Sequence, residues 1–186
     1  MGNCLVCFKR GFDNFIIEDM IKELWILIKM LFGSRPSDFV YRDLEVMLMK
    51  HFPFKGFKAM AWCGKIIHRE GSRSVDDTTM NHEKIHVMQA VMCSDSWMKY
   101  YLVYVWEWLK GNPFVKPASS AYLTIPQEME AYANEDKPEY PEGMIIYMDD
   151  YTNGIHEKYV IKGGRKRKYK EVGGTSASWK AYVKTL

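Results

Sequence analysis

Long apolar runs are what this chain most conspicuously lacks. The most apolar piece, Leu24 to Phe32, is too short to span a bilayer and contains Lys29. Near the start, Lys9 and Arg10 are followed by Asp13, Glu18, Asp19, Lys22 and Glu23 rather than by an apolar signal core. Neither a transmembrane segment nor a secretory signal is therefore expected. Cysteine is scarce too. Cys4 and Cys7 form one Cys-x-x-Cys, while Cys63 and Cys93 stand apart, so no disulfide framework or four-thiolate metal site can be drawn. Reduced thiols and a missing signal make the cytoplasm the expected location. Repeats and low-complexity segments are missing as well. The net charge is only +3, and much of the basic charge is gathered in Lys162, Arg165, Lys166, Arg167, Lys168 and Lys170. That run reads as the solvated side of a hairpin, so no nucleic-acid partner is expected.

What is present is enough apolar surface for a core. The chain has 186 residues, 47% of them hydrophobic, which suits one domain that needs no disulfide to fold. Apolar residues at helical spacing from 12 to 32, including Ile17, Ile21, Leu24 and Ile28, predict an amphipathic N-terminal helix ending at Gly33. Its apolar face would pack on the domain or on a second copy, which makes a homo-oligomer through this helix an expectation. A second helix is predicted from Ser37 or Asp38 through Lys50. Residues 57–63 and 65–68 read as strand, broken at Gly64. An exposed strand edge there could pair with an extended peptide.

The stretch Thr79 to Gln89 carries the chemistry. His82 and His86 lie four apart, one above the other on a helix, and Glu83 sits beside them. This His-Glu-x-x-His spacing presents two imidazoles to a metal ion and a carboxylate to the water bound on it. Zinc is the expected ion, because it suits such ligands and makes bound water nucleophilic near neutral pH. Asp76, Asp77, Thr78 and Thr79 offer N-caps for this helix, and Ile85, Val87, Met88, Ala90 and Val91 give it a face to bury. A buried helix does not carry two histidines and a glutamate inward unless something satisfies them.

Ser94 to Ser96 can cap a further helix over 97–110, whose Trp97, Tyr101, Tyr104, Val105 and Trp108 form an aromatic stripe read as core. Catalytic zinc keeps three protein ligands and one open position, so a third ligand is required. The helix opened by Pro126 supplies candidates in Glu128, Glu130 and Glu135. Glu128 is the expected ligand, with Glu130 the alternative, since their directions differ by about 160° around a helix. Glu135 reads as solvent-facing. Gln89 lies seven after His82 and either contacts a ligand or packs the helix. The outer nitrogens of the histidines need acceptors, with Asp149 or Asp150 as candidates. Tyr122, Tyr132 and His156 are candidates for stabilising an oxyanion. Residues 143–151 and a hairpin within 157–172 are read as strands, and Trp179, Tyr182 and Val183 of the tail should dock on the body.

His82-Glu83-Lys84-Ile85-His86 followed by Glu128-Met129-Glu130-Ala131-Tyr132 resembles the gluzincin metallopeptidase pattern, in which the second helix reads Glu-x-x-Ala-Asp. Tyr132 departs from that pattern. Residues 52–140 are also similar to small metallopeptidase-like proteins of Bacteroides-type bacteria, through Asn81-His-Glu-x-Ile-His-x-x-Gln89, the aromatic helix and Pro126 to Glu135. The resemblance implies a zincin-like metal-site core over 52–140. With the rest of the chain, the expected fold is one α+β domain over 1–186, mainly helical around the metal site with a small sheet and a C-terminal hairpin, the helix 12–32 preceding that core and C-terminal strands and tail 143–186 following it. The resemblance further implies Zn2+ held by His82, His86 and Glu128, with Glu83 as catalytic general base acting on a peptide or protein substrate. A non-catalytic zinc-binding interaction domain and a zinc amidase are the alternatives.

Overall fold

The structure, a computed structural model, describes residues 4–40, 42–53, 57, 59–72, 74–114, 118–144, 157–161 and 164–186. It is α+β and mainly helical, with one small sheet set against the helix that carries His82 and His86.

Helix α1 (Cys4–Met30) begins earlier than the periodicity suggests and ends in the turn leading through Gly33. It is anchored at its C-terminal half, where Leu27 is buried with Met49, Phe52 and Ile67. Glu23 helps by accepting from the backbone N–H of Lys50 and of His51. The helix predicted next is not formed. In its place are a short 3-10 turn, Pro36–Phe39, and strand β1 (Glu45–Met49). The physical reason is pairing: β1 lies parallel to β3 (Lys65–Arg69) through five residue pairs, from Glu45 with Lys65 to Met49 with Arg69. Its side chains alternate, with Leu48 outward and Met49 inward, so tertiary pairing overrides the local helix pattern.

Strand β2 (Ala59–Trp62) pairs antiparallel with β3, giving the order β1-β3-β2. The β2–β3 turn is Cys63-Gly64, both with positive φ (47° and 76°), the conformation that matches the right-handed strand twist in a two-residue hairpin. Gly64 is needed there for a second reason: a Cβ would lie 2.3 Å from the Phe39 ring.

Helix α2 (Asp77–Met92) is capped by Asp76, whose carboxylate accepts from the Thr79 N–H at 2.7 Å. Ser96 caps α3 (Trp97–Lys110) through the Lys99 N–H. The sheet, α2 and α3 enclose one core, built from Ile66, Val87, Ala90, Trp97 and Tyr100 among others. A short α4 (Ala118–Leu123) leads toward the next helix. Helix α5 (Pro126–Asn134) starts with Pro at its first position, as expected. Ala131 is wholly buried beside Ile85, Met88 and Met92, so its small side chain lets α5 pack closely on α2.

Among the described residues the expected C-terminal strands are not seen. Gly143 and Met144 end α6 (Tyr140–Met144), and the rest of that predicted strand, with Asp149, Asp150 and His156, lies outside the described residues. The hairpin is replaced by a 3-10 turn at Glu157–Tyr159 and helix α7 (Arg165–Glu171). Lysine, arginine and glutamate all favour helix, and Arg167 and Glu171 pair four residues apart. Helix α8 (Ser176–Val183) follows and docks on the body through Trp179, whose indole N–H donates to the Leu123 carbonyl at 2.7 Å. Trp179, Val183, Tyr169 and Met129 form a second core that packs α7 and α8 against α5. No helix among the described residues is long and apolar enough to cross a membrane.

Candidate metal centre

Helices α2 and α5 bring His82, His86 and Glu128 together, all buried, with one ligand-type atom from each within 4.8 Å of the others. His82 and His86 follow from the four-residue spacing on α2. Glu128 occupies the third position of α5, where unsatisfied amides favour a carboxylate. The spacings are 3.2 Å between the two Nε2 atoms, 3.4 Å from His82 Nε2 to Glu128 Oε2, and 3.3 Å from His86 Nε2 to Glu128 Oε1.

These spacings can be compared with those around an ion. A tetrahedral metal bonded at about 2.0–2.1 Å separates neighbouring ligands by roughly 3.3 Å. The protein also dictates which atoms face inward. Glu135 Oε2 lies 3.0 Å from His82 Nδ1, and an ionised carboxylate can only accept, so Nδ1 carries the proton. His86 Nδ1 lies 2.9 Å from Gln89 Oε1, again an acceptor. Both Nε2 atoms therefore aim lone pairs at each other and at Glu128. Glu128 Oε2 is buried with no hydrogen-bond partner among the described residues. Such an arrangement repels itself unless a cation lies within it. The donor set thus fits a divalent metal such as zinc.

The electrostatics agree. Burial opposes charge on His82, but the adjacent Glu128 carboxylate, the Glu135 carboxylate behind the ring and the nearby Glu83 charge outweigh it and raise its pKa to about 10. His86 is raised for a similar reason: burial opposes its charge and Glu128 favours it. Burial would raise Glu128, yet the two imidazoles hold it well below the usual carboxylate range. The pocket is built to hold positive charge.

A buried support surrounds the triad. The Gln89 amide N–H donates to the Gln127 carbonyl and to Glu130 Oε2, at 3.0 and 2.9 Å. That orientation leaves its oxygen for His86. Glu130 also accepts from the Tyr140 hydroxyl at 2.8 Å. Between Glu128 and Glu130 it is therefore Glu128 that joins the histidines, while Glu130 fixes Gln89. Tyr104 donates to Glu128 Oε1 at 2.7 Å, and Tyr100 reaches Gln89 Oε1 at 3.0 Å. Asn81 donates to the carbonyls of Asn134, Glu135 and Lys137, tying the end of α5 to the start of α2 and placing Glu135 beside His82.

Glu83 is buried next to the triad. Its Oε2 accepts from the Ala61 N–H at 2.7 Å. Burial raises its pKa, with His86 and His82 pulling it back down. The Tyr132 ring packs on His82 with centroids 4.6 Å apart. Burial keeps Tyr132 protonated far above neutral pH, although Glu128 acts in the same direction and a hydrogen bond with Tyr122 opposes it.

Sequence reasoning missed Glu135, which it placed in solvent. The signal was its seven-residue interval from Glu128, which sets both on one face of α5. Tyr100 and Tyr104 could not be singled out from an aromatic helix whose orientation was unknown.

The fold and site define an α+β domain with a buried His, His, Glu triad able to coordinate a metal ion. No family model, curated protein or solved structure matches the chain. The gluzincin resemblance is corrected accordingly. The triad does draw its carboxylate from a second helix, but the acid supporting it is Glu135, whereas the gluzincin pattern expects an acid at the position of Tyr132, whose ring instead packs on His82. The chain is therefore assigned neither to the gluzincins nor to the small Bacteroides-type proteins.

Proposed function

We propose that His82, His86 and Glu128 hold a zinc ion and that the protein hydrolyses peptide bonds, with Glu83 as general base. The observation that carries this reading is the buried Glu83 carboxylate, one of whose oxygens is held by a strand amide beside the triad. A purely structural metal site requires ligands and has no use for a fourth acid of raised pKa. When bound, zinc would supply Lewis acidity toward a scissile carbonyl and make a coordinated water acidic. Glu83 would take that water's proton and deliver it to the leaving nitrogen. Its raised pKa suits both halves of the transfer.

Substrate binding would use β2, an edge strand of the sheet. Its Ala61 N–H points away from β3 toward Glu83, so an extended peptide pairing along this edge would run past the general base. Tyr132 would donate to the developing oxyanion, because its ring is seated on His82 and its hydroxyl stays protonated.

The test combines metal analysis with cleavage of a peptide library by wild type and Glu83→Gln. The expected result is about one zinc per chain in both proteins, and cleavage by wild type alone. Zinc in both and cleavage by neither would instead indicate a non-catalytic zinc domain. Activity confined to non-peptide amides would point to an amidase.

A further inference from the structure

Helix α3 has two faces of opposite use. The inner one supports the triad through Tyr100 and Tyr104. The outer one is apolar: Met98, Leu102, Val105, Trp106 and Leu109 are all exposed, Leu102 by 64% and Trp106 by 60%. Phe114, just beyond the helix, is 84% exposed. A contiguous face of this kind marks a binding surface rather than ordinary scatter.

Its charge indicates what covers it. Lys99 and Lys110 flank the apolar residues along one edge, and Lys110 Nζ lies 5.7 Å from the centre of the Trp106 ring. The single acid of α3, Glu107, is buried and paired with both Arg165 and Lys110, so the rim is cationic. Lys166 adds another cation near the end of α3, donating to the Asn112 carbonyl. Antiparallel self-packing would set the lysine edge of one copy beside the lysine edge of the other, which disfavours a second copy as occupant. A row of leucine, valine and tryptophan bordered by lysines suits an anionic lipid surface, with side chains entering the acyl boundary and ammonium groups at headgroup level. Helix α1 repeats the chemistry: Ile21, Leu24 and Trp25 are exposed, and Lys29 Nζ lies 5.6 Å from the Trp25 ring centre.

We propose that the outer face of α3 docks this protein on anionic bilayers, lying in the interface without crossing it. The metal centre would then sit one helix thickness from the lipid. The docking stands apart from the hydrolase reading and does not depend on it.

The experiment is co-sedimentation of the full chain with vesicles of phosphatidylcholine alone, and with vesicles containing phosphatidylglycerol. The comparison is with a Leu102→Ser, Trp106→Ser double variant and with Lys99→Gln, Lys110→Gln. Circular dichroism and metal content of each variant report folding, and both replaced pairs are at the surface. Wild type is expected to bind the anionic vesicles at least tenfold more strongly than the neutral ones. The apolar variant should lose at least tenfold in binding, and the lysine variant should lose the preference for anionic lipid. Undiminished binding by the folded apolar variant overturns the proposal, as does failure of wild type to bind. A wild-type dimer in sedimentation velocity that the apolar variant dissolves would also overturn it, by assigning the face to protein contact.

Discussion

Glu135 accepts a hydrogen bond from His82 Nδ1 at 3.0 Å, and that single contact determines which nitrogen of the ring faces Glu128. An acceptor behind a metal-binding imidazole fixes its tautomer, limits its rotation and raises its basicity.

Replacing Glu135 with Gln keeps an acceptor, and replacing it with Ala removes it. Glu135→Ala is expected to weaken zinc binding about 10- to 100-fold, with Glu135→Gln in between. Chelator competition measures this; equal affinities for all three proteins would show that the contact is incidental.

Glu128 and Glu130 should separate cleanly. Glu128→Ala removes a member of the triad and should leave zinc binding too weak to survive dialysis. Glu130→Ala leaves the triad intact but strips partners from Gln89 and Tyr140, at a cost of about 1–3 kcal/mol in unfolding free energy. Denaturant melts and metal analysis of both variants test the division. Zinc lost only from Glu130→Ala would reverse the assignment.

Zinc uptake should release protons. With metal stripped, His82 has a pKa of about 10 against its ordinary 6.5. As the folded value is raised, the stabilising contribution of its charge is complete below pH 6.5 and disappears as pH climbs through 10. A coordinating imidazole must lose this proton, so apparent zinc affinity should rise with pH across the same window, by about tenfold per unit for each proton displaced. Calorimetry in buffers of different ionisation enthalpy counts the protons. A binding heat that is the same in every buffer would contradict the account.

Arg165 links α7 to the interior by pairing with buried Glu107 at 2.9 Å and donating to the Thr124 carbonyl at 2.8 Å. Arg165→Met should destabilise the fold by up to about 3 kcal/mol, because it deprives a buried carboxylate of one of its two cationic partners and leaves only Lys110. A double variant that also carries Glu107→Gln should recover part of the loss. A melting curve for Arg165→Met that overlays wild type would mean that α7 is held by other contacts.

Gly64→Ala meets two obstacles, a φ of 76° and the Phe39 ring. A loss of about 2 kcal/mol is expected from strain and overpacking together. Chemical denaturation tests it, and a change below about 0.5 kcal/mol would show that Phe39 gives way.

Residues within one helix could be related from the sequence alone. The four-residue interval of His82 and His86, the Asp76 and Ser96 caps and the Pro126 helix start are local, set by helix geometry and by hydrogen bonds a few positions long. The region from Glu45 to Met49 shows where such reasoning stops, because only its pairing with Lys65 to Arg69 makes it a strand. Helical propensity in the basic segment from Arg165 to Glu171 likewise prevailed over the hairpin expected within 157–172.

The two imidazoles on one face of a helix, and the candidacy of Glu128 as their third partner, were written in the order of the amino acids. Only the packing of α5 against α2 selected Glu128 over Glu130 and turned Glu135 inward, and only the packing of α3 set Tyr100 and Tyr104 beside the triad. Rotation of one helix about its axis relative to another depends on side chains distant in the chain, and no interval within a single segment encodes it.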